Sequence, residues 1–128
     1  MPTDAEHADK YRESRALLNG PLRGAGAWEA TAAFYAAVHL VERLAAADGI
    51  HHSRHVGAAS RAGYLARHAD HVVIAPALAA LLSASMVARY ESPAAFAAAF
   101  PGDTVEAMLI GKMLLAIEEH VTARLGGL

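Results

Sequence analysis

The sequence predicts an all-α protein, an antiparallel up-and-down bundle of four to five helices. Ala supplies 32 of the 128 residues, and Ala has the highest helix propensity because it loses no side-chain entropy on folding. β-branched residues are sparse and never alternate with a period of two, the pattern that indicates strands. No linker longer than about seven residues interrupts the helical pattern, which favours antiparallel neighbours in one domain spanning residues 1–128.

The first predicted helix runs from Asp4 to Leu18. Thr3 and Glu6 have the spacing of a capping box, which satisfies free backbone N–H groups at a helix start. Residues 19–21, Asn-Gly-Pro, end the helix. Its moderately apolar face predicts a position on the outside of the bundle.

The second predicted helix runs from Ala27 to Ala47 and is the most apolar long helix of the chain. Apolar residues cover about half of its circumference, which predicts a central position. The opposite face carries aromatic and titratable residues, namely Trp28, Tyr35, His39, Glu42 and Arg43. We interpret this face as a partly buried polar contact with a helix or a second subunit, or as a binding face.

The remaining helices are predicted from capping residues and from breaks at Pro and Gly. They are a third helix from His55 or Val56 to Ala69, a fourth from Pro76 to Tyr90, a short helical turn from Ala94 to Phe100, and a last helix from Asp103 to Leu125.

Composition and charge exclude several classes of function. The net charge is −2, so no global basic field attracts nucleic acid. The absence of Cys excludes disulfides and thiolate zinc sites. The polar N-terminus has no apolar signal core, and we expect no apolar run as long as a bilayer span, so we expect a cytoplasmic protein.

Known catalytic motifs are absent from the sequence. It contains no nucleophile elbow, P-loop, dinucleotide fingerprint or HExxH motif, and we expect no cofactor. His51, His52 and His55 lie close together, and with a carboxylate such as Glu42 they could form a metal site. We keep a His-metal bundle as an alternative, whereas the favoured interpretation has no metal ligands.

Three segments and the final helix together carry a family resemblance. In ATAAFYAAVHLVERLAAADGI an apolar run with Tyr and Ala precedes a His and a short loop, and this segment resembles the second helix of the HEPN superfamily, in particular of its small stand-alone bacterial members. HSRHVGAASR resembles the Ser-His-x-x-Arg region after that helix, although Arg54 precedes His55 here and the Arg comes later, at Arg61. SMVARY resembles the Ser-x-x-Ala-Arg-Tyr run, and the final helix, with IEEHVTARL near its end, is also similar. Together these segments extend from about residue 27 to about residue 125.

The resemblance implies a helical bundle that is often a homodimer and associates with nucleotides or RNA. Many members are endoribonucleases with an Arg-x4–6-His motif paired across the dimer, and Arg61 and His68 have this spacing. Ala62 stands where a polar residue usually follows the Arg, so we expect a non-catalytic protein that binds a nucleotide, RNA or a protein partner. A ribonuclease that uses Arg61 and His68 is the alternative. Some relatives have a nucleotidyltransferase-like partner protein.

The candidate binding face combines residues from three predicted helices. It comprises Tyr35, His39, Glu42, His55, Arg61, Arg89 and Tyr90. The Arg side chains would hold phosphate, Tyr35 would stack on a base and His39 would form a hydrogen bond. The alternative for the same residues is a buried polar network in which Glu42 pairs with Arg89.

Overall fold

The computed structural model describes residues 3–50 and 57–128, and this part of the chain is helical without strands, so the predicted all-α class is confirmed. A 3-10 turn (Val72–Ile74) precedes the fourth helix, and a π-helical segment (Val105–Leu114) continues directly into the last one. The helices are α1 (Asp4–Asn19), α2 (Ala27–Ala47), α3 (Gly57–Arg67), α4 (Ala75–Tyr90), α5 (Pro93–Ala99) and α6 (Leu115–Leu125).

Helix α2 is the centre of the fold. It packs against α1, α4, α6 and the π-helical segment. Leu40 and Val41 are completely buried, and so are five of its alanines. Because Ala has a small side chain, neighbouring helices can approach the axis of α2 closely on several sides. The predicted bounds and the central position of this helix are confirmed.

Helix α1 covers one side of α2 and begins with the predicted capping box. The backbone N–H of Glu6 donates to Thr3 Oγ1 at 3.1 Å, and that of Thr3 donates to Glu6 Oε2 at 3.2 Å. Tyr11 lies on its buried face and donates a hydrogen bond to the buried carboxylate of Glu118 on α6. Arg15 Nε pairs with the same carboxylate at 3.3 Å. These contacts join the first and last helices.

Several predicted helix bounds differ from the structure by one or two residues. The first helix ends at Asn19 rather than at Leu18, and the third ends at Arg67 rather than at Ala69. The fourth begins one residue before Pro76, and the short helix is Pro93–Ala99 rather than Ala94–Phe100. The last predicted helix is divided, since Val105–Leu114 is π-helical. Gly111 lies in this segment, where an added Cβ would be 3.0 Å from the carbonyl oxygen of Glu106. The close approach of these backbone groups is therefore compatible with Gly and crowded for any larger residue.

The polar face of α2 divides into two halves. Trp28 and Tyr35 are exposed, with 68% and 42% of their surface accessible. Glu42 is buried, and His39 and Arg43 are half-buried. Arg43 Nε pairs with Asp4 of α1 at 3.0 Å. Only the first half of this face is therefore open to a partner.

Candidate functional site

The exposed half of α2 meets the end of α4 in a cluster centred on Arg89. The Arg89 guanidinium carbon lies 6.0 Å from the ring centres of Phe34 and Tyr35, and 5.2 Å from that of Tyr90. Tyr90 has 71% of its surface accessible. The structure thus brings together three of the predicted binding residues, Tyr35, Arg89 and Tyr90.

The guanidinium of Arg89 is held in position by its own helix. Its Nε donates to the backbone carbonyl of Ser85 at 3.2 Å, and its Nη2 lies 3.3 Å from Ser85 Oγ and 3.5 Å from Met86 Sδ. Ser85 is fully buried and donates its hydroxyl proton to the carbonyl of Leu82 at 2.8 Å. The Arg89 side chain is therefore fixed before any partner binds.

An uncharged exposed stripe extends along α4 from this cluster. Its members recur three or four residues apart and are Val72, Pro76, Ala79, Ser83, Met86 and Tyr90. A helix face exposed to water usually carries charged residues. Large apolar surfaces of this kind mark contact sites for proteins or membranes.

The segment Val72–Tyr90 is long and apolar enough to cross a membrane, which corrects our expectation that no such run exists. Its mean hydropathy is 1.9, and 33% of it is buried within the protein. One such helix is weak evidence for a membrane span, because a helix packed in a soluble bundle passes the same test. In this structure the segment packs against α2.

A second feature is an apolar cavity of about 280 Å³ between α2, α3 and α4. Phe34 lies in its wall and also contacts Arg89, so the cavity adjoins the aromatic cluster. Arg61 is the charged residue of the wall, and its Nη1 lies 3.1 Å from Glu42 Oε1. The alternative network in which Glu42 pairs with Arg89 is therefore wrong, since the structure pairs Glu42 with Arg61 and places Arg89 beside the aromatic rings.

His39 is turned towards α1 rather than towards the aromatic cluster. Its Nδ1 lies 2.9 Å from Nδ1 of His7, a distance that requires one ring to donate and the other to accept. Burial, with a smaller effect from the nearby His7, lowers the pKa of His39 from 6.5 to about 4. The His39 ring is therefore neutral at neutral pH.

Arg61 and His68 bind different carboxylates of α2. Arg61 pairs with Glu42, whereas Nε2 of His68 lies 3.3 Å from Oδ2 of Asp48. Asp48 follows Glu42 by six positions, which places them about 9 Å apart along the axis and on different faces. The two predicted catalytic residues thus belong to separate polar groups.

The Asp48 group is the densest set of titratable residues in the described part of the chain. His71 is completely buried, and its Nε2 also lies 3.3 Å from Asp48 Oδ2. Tyr64 donates its hydroxyl proton to the same oxygen at 2.5 Å. Nδ1 of His71 lies 2.8 Å from Nε2 of His120 on α6. The group joins the end of α2 to α3, to the following turn and to α6.

These surroundings change the acidity of several members of the group. The Tyr64 hydrogen bond, together with the His71 hydrogen bond and the electrostatic effect of His68, lowers the pKa of Asp48 despite its burial, so that the carboxylate is ionised. Burial, and next the hydrogen bond to Asp48, raises the pKa of Tyr64. Burial also lowers the pKa of His120. Arg124 pairs with the other carboxylate oxygen, Asp48 Oδ1, at 3.3 Å.

Sequence reasoning singled out His68 but not Asp48, Tyr64, His71 or His120. Asp48 directly follows α2, and the others lie far apart in the chain. One signal was available, because His68 and His71 are three residues apart after a helix. His55, as well as His51 and His52 of the alternative metal site, lie outside the described residues.

No family model, curated protein or solved structure matches this chain.

Proposed function

We propose that this protein is a non-catalytic helical binding protein whose partner contacts the surface formed by α2 and α4. The observation that carries the proposal is the Arg89 guanidinium, which is fixed among aromatic rings at the end of an uncharged exposed stripe. Tyr and Arg are the residues that contribute most at protein interfaces. Because Arg89 is already positioned by Ser85, binding would cost little side-chain entropy.

A protein partner agrees better with the local charge than RNA does. RNA binding depends on several cations that contact successive phosphates. Within the described cluster, Arg89 is the cation among the rings, and the nearby Arg61 is already paired with Glu42. One positive charge suits the edge of a protein interface better than a track for a phosphate backbone.

A second copy of this chain is the partner we propose first. The stripe runs along Val72–Tyr90, a length of about 28 Å at 1.5 Å per residue. Its uncharged side chains allow two stripes to pack around a twofold axis without repulsion between like charges. Arg89 of each copy would then lie beside the exposed tyrosines of the other. A nucleotidyltransferase-like protein, which the HEPN resemblance implies for some relatives, is an alternative occupant of the same surface.

We also propose that the chain is HEPN-like and that its four to five main helices form an antiparallel up-and-down bundle. The sequence motifs and the all-helical fold support this proposal. The Ala-rich motif coincides with α2, and the SMVARY motif coincides with the end of α4. The second motif also supplies Ser85, Arg89 and Tyr90, so the resemblance and the proposed surface involve the same residues.

The association can be tested by sedimentation velocity over a range of protein concentrations. We expect the wild-type protein to dimerise and Met86→Glu to be monomeric, because Met86 lies in the stripe with 47% of its surface accessible. Leu17→Glu is the matched control, since Leu17 on α1 is 39% accessible and lies outside the stripe. A wild-type protein that is monomeric at every concentration, or equal dissociation of both variants, would contradict the proposed dimer.

RNA binding and cleavage are tested with the same protein. We expect that the protein neither binds nor cleaves fluorescently labelled single-stranded RNA. Tight RNA binding that is lost in Arg89→Ala would show that this surface binds RNA rather than a protein. Tyr35 and Tyr90 would then stack on the bases. Cleavage that disappears in His68→Ala would establish the ribonuclease instead.

A further inference from the structure

The Asp48 group contains three metal-ligand atoms that converge on one point. Oδ2 of Asp48 lies 3.3 Å from Nε2 of His68 and 3.3 Å from Nε2 of His71. All three atoms lie within 4.8 Å of one another. The rings of His68 and His71 are stacked, with their centres 4.1 Å apart, so both present their Nε2 atoms on the side of the carboxylate.

Two of the three separations match the dimensions of a tetrahedral zinc site. Zinc binds imidazole nitrogen and carboxylate oxygen at about 2.0–2.2 Å, which places two tetrahedral ligands about 3.3–3.5 Å apart. Both distances to Asp48 Oδ2 are 3.3 Å, and the two imidazole nitrogens lie within 4.8 Å of each other.

We propose that Asp48, His68 and His71 bind one divalent transition-metal ion of the zinc class. Two imidazoles and one carboxylate suit zinc and its neighbours, whereas magnesium and calcium prefer ligand sets composed of oxygen. The proposal goes beyond the binding surface of α2 and α4, which shares none of these residues.

The residues around the three ligands already occupy the positions of supporting groups. Metal-binding His residues usually donate their second ring N–H to a fixed acceptor. His71 has such an acceptor, because its Nδ1 lies 2.8 Å from Nε2 of His120. Tyr64 donates a hydrogen bond of 2.5 Å to Oδ2 of Asp48, and Arg124 contacts the other oxygen, Oδ1, so the carboxylate is held with Oδ2 near the histidines.

Both histidines must carry their ring proton on Nδ1 when Nε2 binds the ion. For His71 this makes Nε2 of His120 the acceptor, and for His68 it changes a backbone contact. In the structure Nδ1 of His68 accepts a long hydrogen bond of 3.3 Å from the backbone N–H of Asp70. Coordination through Nε2 moves the ring proton to Nδ1, so this contact is lost when the metal binds. The cost is small because a bond of this length is at the weak limit of hydrogen-bond geometry.

Three protein ligands leave one tetrahedral position for water or another small ligand. A cavity of about 310 Å³ lies beside the group and shares Tyr64 and His68 with it. Ser60 and Arg67 also line this cavity, so it offers a hydroxyl and a cation to a molecule bound at the metal. Such a site differs from structural zinc sites, in which four protein ligands close the coordination shell.

The metal itself is the probe in the test. The full-length protein is stripped with a chelator and titrated with Co²⁺, whose visible absorption reports tetrahedral coordination, and the affinity for Zn²⁺ follows from competition. We expect one ion per chain. His68→Gln is the main variant because His68 is partly exposed, whereas substitution of the fully buried His71 risks unfolding. The metal affinity of His68→Gln should fall roughly 10- to 100-fold or more, because loss of an outer-shell partner alone lowers metal affinity by this factor.

Two controls distinguish this site from other histidines. His39→Gln alters a half-buried imidazole on another face and should leave the affinity unchanged. A triple substitution of His51, His52 and His55 by Gln should also retain the tetrahedral Co²⁺ spectrum. Absence of stoichiometric binding, unchanged affinity in His68→Gln, or loss of the spectrum in the triple variant would each overturn the proposal.

Discussion

At the scale of single residues, the polar side chains buried in this helical protein have specific partners. In the described part of the chain, no buried side-chain nitrogen or oxygen lacks a hydrogen bond. Glu118 accepts from Tyr11, and Glu42 pairs with Arg61. An unpaired buried polar group would cost about 1–3 kcal/mol. The charged residues of α2 and α6 therefore specify which helices lie side by side.

The His39 ring predicts how stability depends on pH. Its folded-state pKa of about 4 is below the usual 6.5, because the ring is buried and lies near His7, Lys10 and Arg61, with Glu42 acting in the opposite direction. Between these two values the unfolded chain binds a proton that the folded chain does not. The free energy of unfolding should therefore fall as the pH decreases from about 6.5 to about 4.

His39→Gln should reduce this loss by about 1–2 kcal/mol, a value lowered to allow for water around the half-buried ring. Urea unfolding of the wild type and the variant at neutral and acidic pH measures the difference. The pKa of His120 is lowered as well, so part of the pH dependence should remain in the variant. If the free energy of unfolding falls equally with decreasing pH in the two proteins, His39 does not contribute to the pH dependence.

At the scale of helices, local chemistry predicted the starts and ends well and the internal geometry less well. The capping box at Thr3 and the breaks near Asp48 and Ser92 lie where the structure has them. The π-helical turns of Val105–Leu114 were missed, because their apolar pattern also suits an α-helix. Apolar periodicity reports which side of a helix is buried and is less sensitive to the hydrogen-bond register.

Two glycines test this difference in helix type. Gly111→Ala should destabilise the protein by about 1 kcal/mol or more, because the new Cβ would be 3.0 Å from a backbone carbonyl. Gly63→Ala on α3 is the matched control and should stabilise the protein by up to about 1 kcal/mol, the ordinary gain in a helix. Its nearest neighbour is the flexible end of Arg67, at 3.4 Å.

Both variants can be compared with the wild type by chemical denaturation monitored by far-UV circular dichroism. Opposite signs for the two substitutions are expected. Stabilisation by Gly111→Ala would contradict the crowding of Gly111 against Glu106, and would indicate that ordinary α-helical turns are accessible to this segment.

At the scale of the molecule, the sequence predicted the class, the central helix and three residues that the structure brings together. Tyr35 was predicted from the polar face of its helix, and Arg89 and Tyr90 were predicted from the SMVARY motif. The Asp48 group could not be predicted, because its members come from four separate segments and meet only through tertiary packing. The alternative pairing of Glu42 with Arg89 was wrong for the same reason, because sequence spacing does not show whether α3 or α4 supplies the nearer cation.

The central position of α2 predicts that its loss affects the whole protein. Leu40 is completely buried in a helix that contacts α1, α4, α6 and the π-helical segment. Leu40→Ala should reduce the free energy of unfolding by about 2–5 kcal/mol, because it leaves a cavity where several helices meet. That is a large share of the roughly 5–15 kcal/mol that stabilises a typical domain.

Leu115→Ala is the matched control, because Leu115 has 42% of its surface accessible and should change stability by only about 0.5 kcal/mol. Hydrogen exchange then shows how far the effect extends. In Leu40→Ala, protection should fall together in α1, α4 and α6, since these helices are stabilised through a shared neighbour. A loss of protection confined to α2 would mean that the other helices hold together without it, and would contradict the central role of α2.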